Sequence, residues 1–156
     1  RLGKVLGASV VLAAAISLPF FYTFAEFPRS PFGELSGSLQ NATQAGEVIV
    51  HDNKLSYFPG HFYQPGLAQT FLPDIPGSYN DTYALESQQA MQIFPAPNLE
   101  TAVGNADGVY FVVFSRAIEE DQAAGEDHPA IAWLEARFHQ TGQTAFNDLL
   151  LLHYQR

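Results

Sequence analysis

Four polar side chains stand in a row at the end of a short apolar run. His51, Asp52, Asn53 and Lys54 follow Glu47-Val-Ile-Val50, and His61 and Tyr63 come soon after. A histidine beside a carboxylate and an amine can pass a proton near neutral pH or grip a polar ligand. The β-branched run 47–51, bounded by Gly46 and Asp52-Asn53, predicts a buried strand. In an open α/β sheet, ligands bind beyond the carboxyl ends of strands. His51, Asp52, Asn53, Lys54, His61 and Tyr63 are therefore the candidate substrate-binding residues. The same side chains have a plainer use, capping the next turn and facing water, and the sequence leaves both open.

Other chemistry is poorly supported. The five histidines have no close repeat of the kind that sets two imidazoles on one helix face. Glu119, Glu120, Asp121, Glu126, Asp127 and His128 lack the alternating oxygen spacing of a calcium loop, so they read as a solvated acidic surface. No nucleophile elbow, phosphate loop or dinucleotide fingerprint occurs. The absence of cysteine excludes disulfides, a thiol nucleophile and Cys-ligated zinc. No catalytic residue, metal or cofactor is expected. Two sequons, at Asn41 and Asn80, would be open to glycosylation in an exported chain.

The elements that would position these residues are legible in part. Ser30-Pro31 suits a helix start, with Phe32, Leu35, Leu39 and Ala42 on one face. Residues 57–63 hold Pro59-Gly60 and read as a loop or a broken helical turn. Residues 68–72 form a candidate second strand and 73–79 a turn-rich loop. A helix is expected from about 83 to 93, and Asn98 caps a short one through Val103. Val109–Phe114 is a continuous apolar run, hence a doubly covered strand. Residues 116–127 read as a solvated connection. Asp127-His128-Pro129 starts a helix carrying Ile131, Leu134 and Phe138, with Gly142 after its end. Residues 146–155 close the domain as a strand. The expected fold is α/β: a small, largely parallel sheet flanked by helices.

Val5 to Ala25 carries no formal charge over 21 residues, and Arg1 and Lys4 precede it. Such a run is long enough to cross a bilayer, and its basic flank favours the cytoplasmic side. Phe20, Phe21, Tyr22 and Phe24 suit the outer interface. A signal peptide cut after Thr23-Phe24-Ala25 is the competing reading. The expected organisation is a membrane helix and linker at 1–29 and an extracytoplasmic domain at 30–156. The missing initial Met suggests a piece of a longer chain. The domain holds four basic and fifteen acidic residues, a formal −11, which argues against nucleic acid and against anionic lipid as partners.

The order of features resembles a known arrangement. A hydrophobic helix is followed by a Ser-Pro-initiated helix, then Gly46-Glu-Val-Ile-Val50, then the aromatic Leu55-Ser-Tyr-Phe-Pro-Gly-His-Phe-Tyr63, with Val109–Phe114 and Leu149–Tyr154 completing it. This resembles the C-terminal extracytoplasmic domain of polytopic membrane glycosyltransferases of the dolichyl-phosphate-mannose protein mannosyltransferase-like type. The resemblance implies a domain without catalysis of its own, because that family's catalytic acids lie in an early loop. It implies as partners the membrane, a polyprenyl-phosphate sugar donor, and a glycan or protein acceptor. The alternative is a membrane-anchored or secreted domain that senses a small ligand or binds a partner.

Overall fold

A computed structural model describes residues 2–22 and 29–156. Arg1, the Thr23-Phe24-Ala25 cleavage pattern and the linker residues 26–28 lie outside the described residues. The chain divides into two compact units, Arg1–Ser30 and Pro31–Arg156.

Among the described residues, the first unit holds one helix, α1 (Leu2–Tyr22), with Pro19 inside it. Its stretch Gly3–Phe20 is apolar and long enough to cross a membrane, and none of it is buried. Val5, Leu6, Val10, Val11, Leu12 and Ile16 are all exposed, so the helix has no polar face to turn to water.

The second unit contains α2 (Phe32–Ala42), β1 (Glu47–His51), α3 (Lys54–Tyr63), β2 (Gln69–Phe71), α4 (Leu85–Met91) and α5 (Leu99–Val103). It continues with β3 (Gly108–Phe114), α6 (Ser115–Ala123), α7 (Pro129–Glu135), β4 (His139–Phe146) and β5 (Leu149–Gln155). The architecture is α/β, one five-stranded sheet in the order β2-β1-β3-β5-β4 with helices on both faces. β1 pairs in parallel with β2 and β3, while β5 pairs antiparallel with β3 and β4.

Strand β3 is the middle of the sheet, and its period of two divides the core. Val109, Phe111 and Val113 face α5 and α7, packing with Leu99, Val103, Ala130 and Leu134. Tyr110 and Val112 face α2, packing with Leu35 and Leu39. The four consecutive leucines of β5 follow the same alternation. Leu150 and Leu152 join the first cluster, and Leu149 and Leu151 the second. A leucine run that suits a helix by propensity is thus held as a strand because both of its faces are covered.

Three expectations are corrected. Residues 54–63 form a helix despite Pro59-Gly60. Asn53 caps it by accepting from the Leu55 N–H. Pro59 removes the donor that would meet the Leu55 carbonyl, but Leu55 is exposed, so solvent can take that carbonyl. Residues 115–123 are helix α6 rather than a connection. Ala117 and Ile118 pack on the core, and Arg116 pairs with Glu120 one turn on. Gly142 does not follow a helix end: α7 stops at Glu135, and Gly142 sits inside β4 at a register shift opposite His153. The antiparallel β4–β5 hairpin turns through Asn147, whose φ of 54° is one that asparagine tolerates.

Candidate functional site

The sheet's connections define where a ligand can enter. After β1 the chain enters α3, which packs beside α2. After β3 it enters α6, which packs on the opposite face with α5 and α7. Neighbouring parallel strands whose exits part to opposite faces leave a crevice beyond their carboxyl ends. The Asp52 N–H donates to the Val112 carbonyl at 2.8 Å, which fixes the floor between the two exits.

A cavity of about 550 Å³ occupies this position, within the roughly 300–1,000 Å³ usual for small-molecule sites. Asp52 and Asn53 enter it from the end of β1. Asp74, Ile75, Ser78 and Asn80 come from the loop after β2, Glu120 and Asp121 from α6, and His128 and Trp133 from the start and body of α7. At its centre Asp52 Oδ1 lies 3.4 Å from His128 Nε2. Asn53 Nδ2 donates to the other Asp52 oxygen at 3.2 Å. Burial disfavours charge on the His128 ring, but the hydrogen bond and charge of Asp52, with Asp121 behind, outweigh it and raise the pKa above the usual histidine value. His128 is buried, and its Nδ1 has no hydrogen-bond partner. A carboxylate–imidazole pair of this kind can hold a hydroxyl or take up its proton.

Lys54 is buried behind the cavity wall. Its Nζ donates to Asp74 and to the Asn80 carbonyl, clipping the loop after β2 onto the start of α3. Its charge is therefore committed within the fold, and it does not line the cavity.

The remaining candidates lie elsewhere, on the α2 side of the sheet. His51 is fully buried under α3. Its Nε2 lies 3.2 Å from Gln69 Oε1, and its ring meets Tyr57 edge-on at 5.7 Å. Desolvation lowers its pKa to about 4, with the Gln69 hydrogen bond opposing in part, so it is neutral at pH 7. His61 stacks on Tyr57 at 5.4 Å. Tyr63, half exposed at the end of α3, packs against Phe62. The structure thus brings Asp52 and Asn53 into the crevice, sets Lys54 directly behind it, and gathers His51 and His61 around Tyr57.

Sequence reasoning missed His128 as the partner of Asp52, and Asp74, Asn80, Asp121 and Trp133 as residues lining the same crevice. His128 was visible as a helix start and Asp121 as part of an acidic cluster. Nothing in their spacing joins them to residue 52, because the contact crosses the sheet's carboxyl edge. No group of three or more metal-ligating side chains is gathered among the described residues. Comparison with known proteins gives no match to a family model, a curated protein or a solved structure.

Proposed function

We propose that this chain is an accessory extracytoplasmic domain of an integral membrane glycosyltransferase that uses a polyprenyl-phosphate sugar donor. One observation carries the reading: a helix of membrane-spanning length and composition precedes an α/β unit with a ligand-sized crevice at its switch point. The order of sequence features that resembles the mannosyltransferase-like enzymes agrees with it. In this reading α1 is a membrane helix and residues after about 26 are extracytoplasmic. The crevice presents a partner of the reaction to a catalytic centre formed by other parts of the protein. Asp52 and His128 are the residues expected to touch that partner.

The test is transfer of radiolabelled sugar from polyprenyl-phosphate mannose, and separately from polyprenyl-phosphate glucose, by membranes containing the whole natural protein. Label passing to an acceptor above that of membranes lacking the protein supports the reading. No transfer from either donor rejects it in favour of a membrane-anchored ligand-sensing domain. That second reading is favoured by one feature, that the crevice is complete within residues 31–156.

A further inference from the structure

We infer that the switch-point crevice binds an unphosphorylated, hydroxyl-rich saccharide, the acceptor side of the transfer, and excludes the phosphate-bearing donor. This identification of the ligand rests on the glycosyltransferase reading above.

The charge of the walls carries the argument. Asp52, Asp74, Glu120 and Asp121 all line the crevice. None of the domain's four basic residues lines this cavity: buried Lys54 pairs with Asp74 behind its wall and exposed Arg116 pairs with Glu120 at the surface, offsetting those two carboxylates in part and leaving Asp52 and Asp121. A phosphate would enter among carboxylates, and the one basic side chain in the lining, His128, is already paired with Asp52, so like charges in a partly desolvated site would repel it. A neutral sugar meets the opposite situation. Its hydroxyls donate to carboxylate oxygens, and each such charge-assisted hydrogen bond is stronger than a neutral one.

The apolar part of the wall fits the other half of a sugar's chemistry. Leu72, Pro73, Ile75 and Trp133 line the same cavity, and the C–H face of a pyranose packs on such surfaces while its hydroxyls turn to the polar side. Ile75 is 77% exposed at the crevice, so a ligand seated there would cover it. The guanidinium of Arg137 lies 4.3 Å from the Trp133 ring centre, which helps to fix the indole plane at the wall.

Trp133 is the only tryptophan in the sequence and lines both this crevice and a second cavity beside Arg137 and Arg156, so a fluorescence change is assigned to the crevice where Ser78→Phe abolishes it. The experiment titrates the full chain in detergent micelles with methyl α-mannoside, methyl β-glucoside and methyl β-galactoside, and with mannose-1-phosphate and glucose-1-phosphate. At least one neutral glycoside should give a saturable change, with either phosphate at least about tenfold weaker. Asp52→Asn should weaken binding about tenfold to a hundredfold, as expected for a lost hydrogen bond to a charged group. Ser78→Phe, on the outer loop and away from the core, should abolish binding by filling the crevice while leaving the circular dichroism spectrum unchanged. A flat response to every glycoside overturns the inference. So does tighter binding of a phosphate that Ser78→Phe abolishes, or unaltered glycoside affinity in a folded Ser78→Phe variant. Saccharide binding without transfer from either polyprenyl donor would remove the glycosyltransferase reading alone. Transfer without binding in the crevice would remove this inference alone.

Discussion

At the scale of single residues, the two buried histidines are opposite in electrostatic sense. His51 is held neutral by desolvation, with a pKa of about 4 against an unfolded value near 6.5. Between those values the unfolded chain binds the proton and the folded chain does not. His51 therefore withdraws stability as pH falls from about 6.5 to about 4, by about 3 kcal/mol at the lower end. Urea unfolding at pH 7 and pH 5 should show a smaller loss in His51→Gln than in the parent chain, and equal losses would contradict the assignment. His128 runs the other way. Its pKa is raised, so its contribution is fully present below about pH 6.5 and fades as pH rises through the folded value. An NMR titration should place the His51 midpoint well below that of His128, and the reverse order would refute both assignments. Lys54 poses a different question, because its ammonium is buried against Asp74 and the Asn80 carbonyl. Lys54→Met leaves Asp74 unpaired and should cost about 3 kcal/mol, whereas the double change Lys54→Met with Asp74→Leu should cost less than the single one. Additive losses in urea midpoints would show that the pair is not coupled.

At the scale of elements, the seat of α3 on β1 decides how the polar exit from β1 is presented. Gly60 is a point of close approach between them. A Cβ there would stand 3.0 Å from His51 Cε1 and 3.4 Å from Gln69 Oε1. Alanine normally gains about 0.5–1 kcal/mol over glycine inside a helix. At residue 60 that gain should be overturned, because His51 is fully buried and cannot retreat, and overpacking costs about 1–3 kcal/mol. Gly37, inside α2 with no heavy atom within 4 Å of its would-be Cβ, should show the ordinary gain. Thermal midpoints of Gly60→Ala and Gly37→Ala should therefore move in opposite directions, and two upward shifts would mean that α3 seats more loosely than its geometry implies. The same junction shows what could be read from sequence. β1 and β3 were legible because burial on both faces leaves an unbroken apolar run. α3 was hidden by Pro59-Gly60, whose helical role depends on an N-cap at Asn53 and on contact with His51. α6 was hidden because only Ala117 and Ile118 turn inward from a charged stretch. β4 lies at the sheet edge with exposed glutamine and threonine side chains, so it lacks the alternation that marks a half-buried strand. Within the crevice, Asp52 and Asn53 could be placed from the strand-end rule alone. Their crevice neighbours Asp74, Asp121 and His128 arrive through crossovers, which spacing along the chain does not encode.

At the scale of the whole molecule, two properties bear on location. The span Gly3–Phe20 has the length and composition to cross a bilayer, and the domain beyond it is strongly acidic, with four basic residues against fifteen acidic ones. Basic residues are retained on the cytoplasmic side of a membrane helix, while acidic residues contribute little to orientation. On the proposed reading, Lys4 before the apolar run would direct residues 30–156 outward. The lack of cysteine makes this directly measurable, since any introduced thiol is unique within the sequence. Glu126 is exposed, and only its backbone N–H is engaged, with the Asp121 carbonyl, so Glu126→Cys should leave the fold intact. In whole cells, or in spheroplasts where an outer barrier is present, a membrane-impermeant maleimide should label this variant fully, and permeabilising the membrane should add nothing. Labelling that appears only after permeabilisation would place the crevice in the cytoplasm. It would also remove the extracytoplasmic part of the functional reading, because a polyprenyl-linked sugar used outside the cytoplasm could then not meet this domain. Extraction of the labelled protein by alkaline carbonate would show that α1 does not anchor it, whichever side the thiol reports.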